Sequence, residues 1–292
     1  MVIIAITSNK GGIGKTSTAC SLAYMLKERG KNILLVDMDA QGNATRTYGV
    51  TPGKYSTCIY HLFLDQIRKI LGEKPRYKIA NTIIKTKYGV DLLPSDSRLS
   101  KISTWLQENG GMFKSGTEIE NLWKNEFPNF LKNILEKIKP QYDRIIIDTP
   151  PAFEYNTKNA LMVSDYVIIP VEQGDLEVAG AENIYLEINS FKNPFNAKNP
   201  SVLGVLINRY TKRANVEKAL AAEVRNHPLF GNVVFKTVIH KNTVVKEAAV
   251  LGKLAVLHKK RGARSVKDNF YDLAEEVELR IEKNQKEIDG NG

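Results

Sequence analysis

One glycine-rich turn constrains this chain more than any other feature. Residues 10–16 read Lys-Gly-Gly-Ile-Gly-Lys-Thr. They separate the apolar run Val2-Ile3-Ile4-Ala5-Ile6 from a helix-forming stretch whose Leu22, Met25 and Leu26 share one face. Strand, glycine turn and helix start, in that order, make a phosphate-binding loop. Glycine lets the backbone curl so that successive N–H groups converge on an anion. The positive end of the helix dipole, near Thr16, points at the same spot. Gly11, Gly12, Ile13, Gly14, Lys15, Thr16 and Ser17 are the expected nucleotide-holding residues. Lys15 supplies a point charge to the β/γ-phosphates of ATP, and the Thr16 hydroxyl is placed to hold Mg²⁺.

Lys10 stands just before Gly11-Gly12, where the loop leads away from its own nucleotide. Its amine is therefore suited to reach a nucleotide held by a second subunit. The run KGG-x-GK[ST] resembles the deviant Walker A motif of the ParA/MinD family of ATPases, in which this lysine crosses a nucleotide-sandwich dimer. Two more segments extend the likeness. Ile33-Leu34-Leu35-Val36-Asp37-Met38-Asp39 is a buried-strand pattern ending in two acids, followed by Ala40-Gln41-Gly42-Asn43-Ala44-Thr45. Acids at the carboxyl end of a parallel strand project into the ligand crevice. The run resembles the family's switch I stretch, which implies that Asp39 orients the attacking water. Asp37 either holds a Mg²⁺-bound water or caps the strand end. Arg144-Ile145-Ile146-Ile147-Asp148-Thr149-Pro150-Pro151 resembles Walker B joined to switch II. By that likeness Asp148 holds Mg²⁺ through water, and the prolines stiffen the turn after it.

Bulk properties place the chain among soluble globular domains. Its 292 residues suffice for one α/β domain with a full core, and 42% apolar with 25% charged residues is ordinary. No apolar run approaches the roughly 20 residues of a membrane span. Residues 1–15 read as strand and loop and not as an export signal. Cys20 and Cys58 offer neither a pairing framework nor metal-ligand spacing, so a cytoplasmic setting is expected.

Charge is unevenly spread. Between Arg209 and Arg264 stand 13 Lys/Arg and 3 Asp/Glu, an excess equal to the +10 of the whole chain. That is the footprint of a polyanion-binding surface, or a solvated basic face. Aromatic residues do not interleave it, so phosphate contact without sequence readout is the form expected. Pieces of this region also resemble the ParA family. Val205-Leu206-Ile207-Asn208-Arg209 is similar to the strand after which the family contacts adenine. Asn208 either hydrogen-bonds the base or caps the strand-end turn. Val238-Ile239-His240-Lys241-Asn242 resembles a run whose basic residue helps several members bind DNA, which implies that role for Lys241; His240 replaces the family's proline. Lys259, Lys260, Arg261 and Arg264, in a similar downstream stretch, are the further DNA candidates.

Apolar runs at 2–7, 33–37, 90–93, 144–148, 166–171, 202–208 and 233–237 alternate with helical patterns at 16–29, 128–139, 175–191, 216–225, 244–251 and 265–286. Alternation of this kind predicts a doubly wound, mostly parallel sheet with helices on both faces, here a P-loop NTPase. A single domain over 1–292 is expected, with 55–130 a variable segment, Gly110-Gly111 a loop tip and 287–292 frayed. Val266, Phe270, Leu273, Val277 and Ile281 recur at helical spacing. Because Glu275, Glu276, Glu278 and Glu282 occupy the other side, this stripe is expected to pack on the sheet and not on a bilayer. The resemblance implies an ATP sandwich homodimer, non-specific double-stranded DNA, a ParB-type partner and association with the nucleoid. Rival classes sharing these motifs are a membrane-patterning ATPase, a mover of non-DNA cargo, an electron-transfer ATPase and a biosynthetic enzyme.

Overall fold

Five of the strands are near-continuous runs of Val, Ile and Leu, the composition of strands covered on both faces. The computed structural model describes residues 1–102, 104, 127–151, 154–172, 175–192, 200–211 and 215–290. In chain order its elements are β1 (Val2–Ile6), α1 (Lys15–Glu28), β2 (Ile33–Asp37), α2 (Asn43–Thr47), α3 (Ile59–Ile70) and α4 (Ile79–Thr82). Then follow β3 (Ile84–Lys85), β4 (Asp91–Leu93), α5 (Phe130–Leu135), β5 (Arg144–Asp148), α6 (Tyr155–Val163) and β6 (Tyr166–Val171). The chain ends with α7 (Asp175–Lys192), β7 (Ser201–Ile207), α8 (Asn215–Asn226), α9 (Thr243–Val250) and α10 (Ala263–Gly290).

The strands form one seven-stranded sheet in the order β3-β4-β2-β5-β1-β6-β7. Every pairing is parallel except the short edge pair β3/β4. Strand periodicity divides the core in two. Ile3, Ala5, Leu34, Val36, Ile145 and Ile147 face α3, α5, α6, α7 and α8; Ile4, Ile6, Leu35, Ile146 and Ile168 face α1, α9 and α10. On α10 the five stripe residues Val266, Phe270, Leu273, Val277 and Ile281 are all buried. Each contributes on the order of 2 kcal/mol by leaving water. The packing role expected of that helix is therefore the one observed. No helix among the described residues is long and apolar enough to cross a membrane.

Two expectations need correction. The run at 233–237 is not a strand. It begins in a 3-10 turn, Gly231–Val233, and touches β7 through a single bridge, Val205 to Val234. Four of its carbonyls and two of its amides are taken by side chains instead. Arg280 donates to the Val233 and Val234 carbonyls at 2.7 and 2.8 Å, and Arg225 donates to those of Phe235 and Lys236. Glu276 accepts from the Lys236 and Thr237 amides. The acids of α10 are accordingly not all solvent-facing: Glu278 is buried and holds Arg144 through two hydrogen bonds of 2.8 Å. The pattern at 128–139 breaks into a 3-10 turn, α5 and a second 3-10 turn at Lys139–Gln141, where Pro140 cannot continue a helix. At the other end, α10 runs to Gly290. Gly110-Gly111 lies outside the described residues.

Candidate functional site

The carboxyl ends of β1, β2 and β5 converge on the start of α1. Ile6 stands beside Asp148, and Asp148 beside Asp37, in parallel register. Between β1 and α1 the loop turns through left-handed backbone at Gly12 (φ 80°) and Gly14 (φ 91°). Gly14 caps α1, and its carbonyl accepts the Thr18 amide at 2.8 Å. A side chain at 14 is excluded twice, by its φ and because a Cβ would run into the Asn208 amide nitrogen.

Lys15 is buried, and its Nζ donates to the Lys10 carbonyl at 2.8 Å. Burial lowers its pKa, while the carboxylates of Asp148 and Asp39 work to keep it charged. Lys10 is exposed at the loop's outer rim. Asp148 is fully buried. Neither of its oxygens has a partner at hydrogen-bonding geometry among the described residues, although the Thr16 hydroxyl is near enough to relieve part of the burial penalty. Burial first, then the charges of Asp37 and Asp39, push its pKa well above the usual carboxylate range. A carboxylate held without donors is expensive alone, and a divalent cation reverses that balance. The residues present thus fit Mg²⁺.

Asp37 is equally buried but fully engaged. It accepts from the Thr45 amide at 2.8 Å, the Thr45 hydroxyl at 2.7 Å and the Asp39 amide at 3.1 Å. Burial raises its pKa and the Thr45 bonds oppose the rise. Of the two roles open to it in the sequence, capping the strand end is the one its geometry supports. Thr16 and Asp148, the other two candidates, lie side by side at the start of α1 and the end of β5. Asp39 accepts the Gln41 amide at 2.9 Å and borders the loop.

A cavity of about 450 Å³ opens over these groups, lined by Gly11, Gly12, Gly14 to Ser17, Asp39 and Thr149, with Val245, Ala248 and Ala249 of α9 opposite. A second cavity, about 130 Å³, shares Gly12, Gly14, Ser17, Val245 and Ala249 with it and reaches Asn208, His240 and Lys241. Together they form one cleft of the size small-ligand sites take. Asn208 is buried there; its amide nitrogen donates to the Ile13 carbonyl at 2.7 Å and its oxygen accepts the Arg209 amide at 2.9 Å. His240 is half-buried against Tyr210, a packing position.

Sequence reading missed four cations on this cleft. Arg46 and Lys253 line its larger part, and Arg209 and Lys246 the smaller. Arg46 follows the switch I run by one residue, a position that signals nothing by itself.

Lys241, Lys259, Lys260, Arg261 and Arg264 are all exposed. Two contacts bring them to one place. Asn242 caps α9 at the Val244 amide and donates to the Gly262 carbonyl at 3.1 Å, and Lys260 pairs with Glu247 of α9 at 2.6 Å. One face of α9 therefore lines the cleft while its start and rim carry the basic patch.

Comparison with known proteins agrees with this layout. A family model described as an AAA domain matches residues 1–200. The sporulation initiation inhibitor protein Soj of Bacillus subtilis is 34% identical over 279 residues, which is 94% of this chain and 97% of Soj. The chromosome partitioning protein ParA of Caulobacter vibrioides is 30% identical over 278 residues, 94% and 93% of the two chains. Among solved structures, the cobyrinic acid a,c-diamide synthase of Mycobacterium smegmatis with bound ADP and magnesium has a similar fold. Its TM-score is 0.70 at 23% identity, covering 94% of this chain and 92% of that one. That likeness shows a shared fold and carries no activity with it.

Proposed function

The chain belongs to the Soj/ParA family of P-loop ATPases, and from that premise we propose that it is an ATP-dependent dimerising switch. Its ATP-bound dimer binds double-stranded DNA without regard to sequence and drives plasmid or chromosome partition with a ParB-type partner. The observation that carries this reading is α9, a single helix that lines the nucleotide cleft on one side and anchors the basic patch on the other.

The Ile13 and Gly14 amides and the N-terminus of α1 receive the phosphates. Lys15 exchanges the Lys10 carbonyl for the β/γ-phosphates. Thr16, and Asp148 through water, would hold Mg²⁺, which would supply charge neutralisation for the triphosphate. Asp39 orients the water that attacks the γ-phosphorus, and ADP and phosphate leave. Lys10 reaches the phosphates of the partner copy, so closure of the dimer needs ATP in both subunits. Closure shifts α9 and aligns the Lys241 and Lys259–Arg264 strips of both copies. Hydrolysis is slow alone and is accelerated by the partner protein. ATP thus acts as a ligand that moves a two-state equilibrium. The buried stripe of α10 weighs against a membrane-docking role for that helix.

Co-sedimentation with random-sequence DNA, or with anionic liposomes, in ATP, ADP or no nucleotide tests the proposal. DNA pelleting that requires ATP, with a salt slope of about 0.9 per phosphate contact, is expected. Pelleting with liposomes, or with DNA irrespective of nucleotide, overturns it.

A further inference from the structure

Arg209 is the one non-glycine residue with positive φ, 57°, among those described. Such a backbone costs a residue with a Cβ about 1 kcal/mol and persists where its surroundings enforce it. Here two contacts do so. Its guanidinium pairs with Glu172, just past the end of β6, at 2.6 Å, and donates to the Gly12 carbonyl at 3.3 Å. The preceding residue acts on the next peptide of the same loop, since Asn208 donates to the Ile13 carbonyl at 2.7 Å. Asn208 is itself fixed by its amide, which donates to the Val171 carbonyl at 2.7 Å, and by accepting the Arg209 amide. The ends of β6 and β7 thus grip two consecutive carbonyls of the phosphate loop from the side of the smaller cavity.

The consequence follows from peptide geometry. In a planar trans peptide the C=O and the N–H point in opposite directions. Turning the Gly12 carbonyl toward Arg209 turns the Ile13 N–H the other way, and turning the Ile13 carbonyl toward Asn208 does the same for the Gly14 N–H. We infer that Glu172, Asn208 and Arg209 form a clamp that aims two amides of the loop at the phosphates, with Arg209 a positioning residue and Glu172 its anchor. The inference rests on the reading that this cleft takes ATP. It assigns Asn208 to the shape of the loop and gives Arg209 a task no motif marks.

A clamp of this kind serves every phosphate-bearing nucleotide alike. It changes affinity and leaves turnover at saturation alone. The test uses the full chain, with fluorescent ADP and ATP titrations, turnover at saturating ATP and thermal melting. Arg209→Asn keeps a residue that tolerates left-handed backbone and removes the guanidinium. Its dissociation constants for ADP and ATP are expected to rise together by about tenfold, with the melting midpoint and kcat little changed. Glu172→Gln, which loosens the anchor only, should raise both about threefold, and Arg209→Lys should recover part of the loss. Unchanged nucleotide affinity in Arg209→Asn, or a loss for ATP without one for ADP, overturns the clamp. Failure of the wild-type protein to bind either nucleotide would instead sink the reading of the cleft.

Discussion

Two aspartates end neighbouring strands in matched register, and they could hardly be treated more differently. Asp37 at the end of β2 has three donors, two from Thr45 and one from Asp39. Asp148 at the end of β5 has none at bonding geometry among the described residues. Burial is complete for both, and both pKa values are raised. What differs is where the compensation comes from. Asp37 is satisfied by the chain and shapes switch I by holding Thr45. Asp148 is left without such donors, an arrangement that the divalent cation of the proposed function would compensate. A carboxylate in a motif is thus read by its donors, and position alone is a poor guide to its task.

Substitutions can break this contrast. Asp148→Asn would remove the proposed cation seat while keeping the shape. ATP turnover should fall by about 10³-fold, and the nucleotide-free protein should become more stable by about 1–3 kcal/mol, because folding no longer has to hold a buried carboxyl protonated or carry its charge. Stopped turnover assays and urea midpoints measure the two; loss of both activity and stability would remove the distinction between the aspartates. Asp37→Ala should act oppositely on stability, costing about 3 kcal/mol by orphaning three donors. A midpoint unchanged in urea would show that Asp37 is not the brace of switch I.

A smaller effect sharpens the comparison through pH. Because the folded-state pKa of Asp148 is raised, the folded protein keeps a proton that the unfolded chain gives up. Its contribution to stability is fully present below the ordinary carboxylate range and is lost as pH rises through the folded value. The stability advantage of Asp148→Asn over wild type should therefore widen from about pH 4 to pH 8. A pH-independent gap would contradict the sign. Least of all, Thr45→Val should cost about 1 kcal/mol, since the Thr45 hydroxyl both donates to Asp37 and accepts the Ser95 amide at 3.0 Å. Thr45→Ser should stay near wild type in the same melts.

The sheet was largely readable. Strands at 33–37, 144–148 and 166–171 match their predicted limits, because buried parallel strands are continuous apolar runs with polar ends. The loop, Lys15 and the α10 stripe were readable for the same reason: local pattern and tertiary role coincide. The remainder depends on partners distant in sequence. Helix α3 lies in the segment that resisted reading, although Ile59, Leu62, Phe63 and Ile67 do follow helical spacing and are buried. The 233–237 run has strand composition, yet Arg225, Glu276 and Arg280 capture its backbone. Nothing near Arg209 announces a left-handed backbone or a contact with Gly12, nearly two hundred positions earlier. The dimer, the DNA contacts and the partner remain the proposals made above.

Arg280, which captures part of the 233–237 backbone, also helps to finish the sheet. The outward carbonyls of β7 are Leu203, Val205 and Ile207. Arg280 takes the first, and the amides of Phe235 and Ile239 take the other two. A foreign strand arriving at this flank would meet acceptors already occupied. Growth of a fibre by edge-to-edge stitching is hindered here by one guanidinium and two backbone amides, and a filament of this protein is more readily assembled through its other surfaces.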